Sequence, residues 1–137
     1  MPIVHRIDRN ARVVVALWRG VMIEADVFAY QREVWSRPDV LGFDELVDMT
    51  GVTEFVMPST DTVRQLVDLA AQKDVPDIRS RVAIVAASNH AYGLARMYQT
   101  YHELDPRTNR DIEVFRTLDE ARAYLQVDGP LSVPAFD

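Results

Sequence analysis

The segment Leu46-Val47-Asp48-Met49-Thr50-Gly51-Val52-Thr53, followed by Met57-Pro58-Ser59-Thr60, decides the fold of this chain. Its apolar residues predict a buried strand from Asp44 to Met49, and the polar residues that follow predict a turn. Ser59 or Thr60 then suits the N-cap of a helix, because a hydroxyl oxygen accepts a hydrogen bond from a free backbone N–H group. Apolar residues recur behind this cap at helical spacing, at Val63, Leu66, Val67, Ala70 and Ala71. A strand, a turn and a capped helix form the unit of an α/β domain near which ligands usually bind.

Strands and helices alternate along the rest of the chain. Two extended segments, Pro2 to Ile7 and Ala11 to Trp18, are joined by Asp8-Arg9-Asn10, which suits a tight hairpin connection. The other predicted strands are Arg81 to Ala86 and Asp111 to Phe115, and the other predicted helices are Glu24 to Ser36, Ser88 or Asn89 to Leu104, and Leu118 to Leu125. Because strands that alternate with helices pair in parallel, we expect an α/β domain with a mixed, mostly parallel sheet, an N-terminal hairpin and about four helices.

The composition is that of an ordinary globular protein. The 137 residues, 48% hydrophobic and 26% charged, suffice for one domain with its own core. The net charge is −6 and the 15 Lys and Arg residues are scattered, which argues against nucleic-acid binding; we expect the basic pair Arg107 and Arg110 to be solvated in a loop. No apolar run approaches the roughly 18 residues of a membrane span, and the N-terminus lacks a signal-peptide core. We therefore expect a cytoplasmic protein, with peripheral membrane contact left open.

No catalytic or metal-binding motif is found. The chain has no cysteine, and His5, His90 and His102 lack the i, i+4 spacing of a helical metal site. Ser88 does not lie in the Gly-x-Ser-x-Gly frame of a nucleophile elbow, and the five glycines are too dispersed for a phosphate-binding loop. We therefore expect no catalytic residues, no metal and no cofactor.

Polar residues collect where two of the predicted strands end. If the strands ending at Met49 and Ala86 are neighbours, their carboxyl ends share one rim with two helix N-termini, which suit a small anion or a phosphoryl group. Such residues more often act only as helix caps, and an aspartate at a strand end most often accepts hydrogen bonds from turn N–H groups such as those of Gly51 and Val52. The predicted ligand or phosphorylation rim comprises Asp48, Thr50, Ser59, Thr60, Ser88 and Asn89.

The predicted helices carry more apolar surface than one core face requires. Between Ala91 and Tyr101 the apolar residues cover roughly 160° of one helix, against about 100° for a single face. Deep packing explains this excess, and so does an exposed apolar surface or pocket that serves self-association, a partner or a lipid-like molecule. The residues predicted for an apolar pocket or interface are Tyr30, Trp35, Leu69, Met97 and Tyr101.

Several short pieces, in this order, resemble the SpoIIAA-like family, the STAS/SEC14-like relatives of anti-sigma-factor antagonists. Together they span about residues 11 to 125. The pieces are Gly20-Val21-Met22-Ile23-Glu24-Ala25-Asp26, Leu46-Val47-Asp48-Met49-Thr50-Gly51-Val52, Arg81-Val82-Ala83-Ile84-Val85-Ala86, Gly93-Leu94-Ala95-Arg96-Met97-Tyr98, and Asp111-Ile112-Glu113-Val114-Phe115 with Asp119-Glu120-Ala121.

The resemblance implies a mixed sheet with helices packed mainly on one side. It also implies a non-enzymatic domain used for regulation or for binding a partner or an apolar ligand. We expect a regulatory domain that binds a protein partner or small ligand, or forms a homodimer. True antagonists carry a phosphorylatable serine in an Asp-Ser-x-Gly context at the start of the second helix. The matching residues here, Met57-Pro58-Ser59-Thr60-Asp61, lack that aspartate and glycine, so phosphorylation of Ser59 or Thr60 is a hypothesis.

Two alternatives and a domain boundary complete these expectations. A carrier of a hydrophobic or lipid-like molecule would need a pocket lined by Tyr30, Trp35 and Met97. An enzyme using the strand-end rim, the less favoured alternative, would need at least two converging titratable groups. We place one SpoIIAA-like domain at residues 1–125 and a non-regular tail at 126–137. The apolar residues of the tail, Leu131, Val133 and Phe136, are candidates for docking on the body or on a neighbouring chain.

Overall fold

The alternation of strands and helices is present in the computed structural model, which describes residues 2–56 and 59–136. A short 3₁₀ helix, Pro38–Val40, precedes the third strand. The strands and α-helices of the described chain are β1 (Ile3–Asp8), β2 (Val13–Ile23), α1 (Glu24–Val34), β3 (Asp44–Val56), α2 (Thr60–Ala71), β4 (Ser80–Val85), α3 (Asn89–Leu104), β5 (Arg110–Phe115) and α4 (Leu118–Tyr124).

The strands form one mixed sheet in the order β1-β2-β3-β4-β5. β1 is antiparallel to β2, as a hairpin requires, and the other neighbouring pairs are parallel because a helix follows each of β2, β3 and β4. The predicted fold class is confirmed.

Two apolar clusters lie on opposite faces of the sheet. Alternate residues of β2 divide between them: Val14, Ala16 and Trp18 belong to the larger cluster with residues of α1, α2 and α3. Val13 and Val15 belong to the smaller cluster, with residues of α4. The helices therefore pack mainly on one face of the sheet, as the family resemblance implies.

The turn predicted after Met49 is wrong, because β3 continues to Val56. Its last residues pair in parallel with the end of β2, from Arg19 with Gly51 to Ile23 with Val56. This extension, residues 19–23 and 51–56, is called the β2–β3 ribbon below. Its hydrogen bonds come from a distant part of the chain, so the turn-forming residues Thr50 and Gly51 are extended here.

A glycine makes the ribbon possible at residue 51. A Cβ atom on Gly51 would lie 3.0 Å from the Cβ of Arg19 and 3.2 Å from the backbone oxygen of Trp18. Gly20 on the facing strand has a φ of 72°, in the left-handed region, and the pairing register shifts there. These are the features of a bulged pair whose backbones approach closely.

The C-terminal segment lies against the body of the chain on the α4 side of the sheet. Residues 126–136 contain no helix or strand, and Leu131 packs against the smaller cluster. The backbone N–H of Ser132 donates a hydrogen bond to the Asp8 carboxylate at 2.9 Å, and the Arg19 guanidinium lies 3.8 Å from the ring centre of Phe136. No helix in the described part of the chain is long and apolar enough to cross a membrane.

Candidate functional site

A cavity of about 80 Å³ lies between the sheet and helices α1, α2 and α3. It has this position because the inner residues of β2, β3 and β4 and one face of each helix do not fill the space between the layers. Its walls are almost entirely apolar, and the residues that line it include Trp18, Tyr30, Glu45, Phe55, Leu66 and Tyr98.

Among the described residues, Glu45 is the one carboxylate in the wall of this cavity. It alternates along β3 with Val47 and Met49, so its side chain lies on the inner face of the sheet. Its carboxylate accepts hydrogen bonds from the Tyr30 hydroxyl at 2.5 Å, the Trp35 indole N–H at 3.0 Å and the Arg110 guanidinium at 3.2 Å. We call these four residues the Glu45 cluster.

Arg110 neutralises the buried carboxylate. The side chains of Arg110 and Glu45 are 12% and 4% exposed, and a charge that is removed from water requires such a partner. The guanidinium also lies 4.0 Å from the ring centre of Trp35 and donates to the Ser80 hydroxyl at 3.0 Å. Our expectation that Arg110 is solvated in a loop is wrong, because this residue begins β5 and its side chain points inward.

The electrostatics of the cavity favour neutral tyrosines. Burial, followed by the nearby negative charge of Glu45, raises the pKa of Tyr30 well above its ordinary value. Burial is also the largest cause that raises the pKa of Tyr98, with the charge of Glu45 second. Both hydroxyl groups are therefore protonated donors throughout the physiological pH range.

The side chains of Trp18, Tyr98 and Gln31 line the cavity and make no hydrogen bond among the described residues. The indole nitrogen of Trp18 is buried without an acceptor, although most buried donors in proteins have one. The Tyr98 hydroxyl, one turn of α3 before the buried His102, also makes no hydrogen bond within the described chain. The indole N–H can only donate, whereas the hydroxyl can donate and accept.

The predicted apolar residues do not gather around one pocket. Tyr30 lines the cavity, whereas Trp35 lines a smaller one of about 50 Å³ on the other side of the Glu45 cluster. Leu69, Met97 and Tyr101 are half-buried on the outer helices. Tyr101 lies in a shallow groove beside Leu104, under the guanidinium of Arg64 at 5.0 Å.

The predicted rim is divided into two places. Asp48 of β3 pairs with Val85 of β4, three residues before Ser88. The pairing of β3 with β4 therefore ends near the start of α3. Ser59 lies beyond Val56, and eight residues of strand correspond to about 26 Å from Asp48. The structure therefore places Asp48 at the end of the β3–β4 pairing, from which the chain leads to Ser88, and Ser59 beyond the far end of β3.

The hydroxyl groups of this region cap helices, and the aspartate binds its own strand. Ser59 accepts a hydrogen bond from the Thr62 N–H at 3.4 Å, and Ser88 accepts one from the Ala91 N–H at 3.1 Å. Asp48 accepts from the N–H and hydroxyl of Thr50 at 3.0 and 2.7 Å, rather than from Gly51 or Val52. Within the described ranges, no group of three or more His, Asp or Glu residues is arranged to hold a metal ion.

Sequence reasoning missed the Glu45 cluster, although one signal for it is present. Glu45 is in phase with the inward residues Val47 and Met49, and a charged residue at such a position requires a buried partner. Nothing local indicates that the partner is Arg110, since 65 residues separate the two. In the sequence, nothing distinguishes Trp18 and Tyr98 from other apolar residues of a strand and a helix.

These features define a class of protein, an α/β domain with a SpoIIAA-like fold. A similar solved structure is that of an uncharacterized protein from the DUF3478 family of Shewanella loihica PV-4, which has this fold. The two sequences are 16% identical, the match covers 90% of this chain and 93% of that one, and the TM-score is 0.56. No family model and no curated protein matches the sequence. The likeness confirms the fold that the resemblance predicted.

Proposed function

We propose that this chain is a non-enzymatic domain that binds a small, mostly apolar molecule between its sheet and helices α1–α3. The observation that carries the proposal is the apolar cavity of about 80 Å³. Protein interiors are packed densely, and voids much larger than one water molecule are few. A small-molecule site combines such an apolar cavity with a few polar groups, which the Glu45 cluster and Tyr98 supply here.

The size of the cavity limits the ligand. A volume of about 80 Å³ is smaller than the cavity of roughly 150 Å³ in which benzene binds in an engineered protein. The proposal therefore applies to a compact molecule, and it favours a sensor or carrier of small compounds over a carrier of long-chain lipids. Neither Trp35 nor Met97 lines the cavity, which also weighs against the lipid carrier.

The absence of catalysis is part of the same proposal. The Glu45 carboxylate already accepts three hydrogen bonds, and Asp48 accepts two from Thr50. A carboxylate that is occupied in this way is a poor general base, because it must exchange a strong hydrogen bond for the proton of a substrate.

The test is an NMR titration of the labelled protein with cyclopentane and with xenon. We expect the amide and methyl signals of cavity residues such as Ile84, Val47 and Ala95 to shift. Ala95→Leu, which fills the cavity, abolishes these shifts, whereas Ala87→Leu at an exposed position retains them. Shifts that are absent, or equal in both variants, would reject the proposal.

A second candidate function is regulation through a protein partner or a second copy of the chain. It rests on three apolar side chains on the outer face of the β2–β3 ribbon, Val21, Ile23 and Val56, which are 50%, 42% and 49% exposed. Adjacent exposed apolar side chains are a frequent feature of interaction surfaces. Native mass spectrometry of protein purified from its own host tests this candidate. A dimer, or a complex with a protein partner, should be lost in Ile23→Lys and retained in the exposed control Glu103→Lys.

Phosphorylation at the start of α2 would act as a switch for that surface. This part of the proposal rests on the exposed position of Ser59 at the start of the helix. Ser59 is exposed and caps α2, and the neighbouring Thr62 hydroxyl donates to the Glu24 carboxylate at 3.2 Å. A phosphoryl group on Ser59 would repel Glu24 and loosen the contact between α1 and α2. A mass increment that survives denaturation and maps to Ser59 or Thr60 would support the switch, and an unmodified mass would oppose it.

A further inference from the structure

The cavity contains a buried hydrogen-bond donor that has no acceptor among the described residues. The Trp18 side chain lines it and is 8% exposed, and its indole N–H has no acceptor within the described residues. The Tyr98 side chain lines it as well, and its hydroxyl makes no hydrogen bond in the described chain. Burial of the unpaired Trp18 donor is costly and an indole N–H can only donate, so the site favours a ligand that accepts hydrogen bonds.

The nearest carboxylate does not fill this role. Glu45 already accepts from Tyr30 at 2.5 Å, from Trp35 at 3.0 Å and from Arg110 at 3.2 Å. A ligand ammonium group would have to compete with Arg110 for this carboxylate. A ligand carboxylate would bring a second negative charge beside Glu45, in an apolar space where charges are poorly solvated.

We infer that the ligand is a compact, uncharged carbonyl or ether compound. Its hydrocarbon part fills the apolar cavity, and its oxygen accepts a hydrogen bond from the Tyr98 hydroxyl, the Trp18 indole N–H, or both. The ion pair of Glu45 and Arg110 carries no net charge, so it neither attracts nor requires a charged ligand. This inference rests on the proposed function and narrows it to a chemical class.

The test compares cyclopentanone with cyclopentane, two molecules of similar size that differ in the acceptor oxygen. The chain has two tryptophans, so an NMR spectrum of ¹⁵N-labelled protein contains two indole N–H signals. We expect cyclopentanone to bind more tightly than cyclopentane and to shift the Trp18 signal. The Trp35 signal should shift less, because its N–H is already bonded to Glu45 and Trp35 does not line the cavity.

A matched pair of variants separates the hydroxyl from the ring. Tyr98→Phe should weaken cyclopentanone binding about fivefold to tenfold, the effect of one lost hydrogen bond, and leave cyclopentane binding unchanged. Tyr101→Phe, on the same helix but in the outer groove, should change neither.

The outcomes distinguish this inference from the proposed function. Equal binding of both probes, with no effect of Tyr98→Phe and no shift of the Trp18 signal, would overturn the ligand class and leave an apolar binding site. Failure of both probes to bind would overturn the binding function itself, and the inference with it.

Discussion

Arg110 is the residue on which the buried charge of Glu45 depends. Arg110→Met keeps much of the side-chain volume but leaves the carboxylate uncompensated, so we expect unfolding to become easier by about 3 kcal/mol. Glu45→Gln combined with Arg110→Met removes both charges and should recover a large part of this loss. Urea denaturation of the wild type, the single variant and the double variant measures these differences. Equal loss in both variants would show that charge compensation is not the role of Arg110.

His102 makes the stability of the protein depend on pH. It is 2% exposed, and its Nε2 atom has no partner among the described residues. Burial, aided by the positive charge of Arg110 and opposed by Asp105 and Asp111, lowers the pKa of His102 to about 4 from its ordinary value of 6.5. As the pH falls from 6.5, the unfolded chain therefore binds the proton first, and stability is lost progressively until about pH 4.

The difference between these pKa values corresponds to about 3 kcal/mol in the wild type. We expect His102→Gln to lack this part of the pH dependence, whatever its stability at neutral pH. The measurement is the free energy of unfolding in urea at pH 7, 6, 5 and 4 for both proteins. Parallel curves for the wild type and the variant would contradict the prediction.

The β2–β3 ribbon and helix α3 respond in opposite ways to the same substitution. Gly51→Ala places a methyl group 3.0 Å from the Arg19 Cβ and should destabilise the protein by about 1–2 kcal/mol. Gly93→Ala lies in α3 with nothing within 4 Å of the new methyl group, and should stabilise it by about 0.5–1 kcal/mol. Thermal unfolding of the two variants measures both effects, and shifts of the same sign would contradict the close approach in the ribbon.

The elements that local signals specify were predicted from the sequence, and those that depend on distant pairing were not. Helix α2 has a cap at Ser59 and a regular apolar stripe. Its position in the sequence therefore follows from residues that are at most four positions apart. The ribbon was missed because Thr50 and Gly51 are typical turn residues. Only their pairing with β2, about thirty residues earlier, keeps them extended.

The same reason explains what could be predicted of the candidate site. Tyr30 is one of the residues predicted for an apolar pocket or interface, and in the structure it is among those that line the cavity. Glu45 and Arg110 are in contact although 65 residues separate them, and no periodic pattern in the sequence predicts such a contact. A cavity is the space that packed layers leave unfilled, so its position depends on every side chain around it.

At the scale of the whole molecule, the order and spacing of the strands and helices determine the fold even when most residues differ between two proteins. The solved structure of similar fold shares 16% of its residues with this chain, yet the match covers 90% of the chain. Many different apolar residues satisfy the same buried pattern, so fold is retained while the content of the interior varies.

The proposed division into a domain of residues 1–125 and a tail of 126–137 gives the last prediction. The tail lies on the α4 side of the sheet, where Leu131 packs against the smaller cluster and Ser132 bonds to Asp8. A chain that ends at Leu125 should therefore fold cooperatively, with a loss of about 2 kcal/mol that urea denaturation measures. Because the cavity is on the opposite face, cyclopentane binding should be unchanged. Loss of binding in a folded truncated chain would mean that the tail supports the helical layer through the sheet.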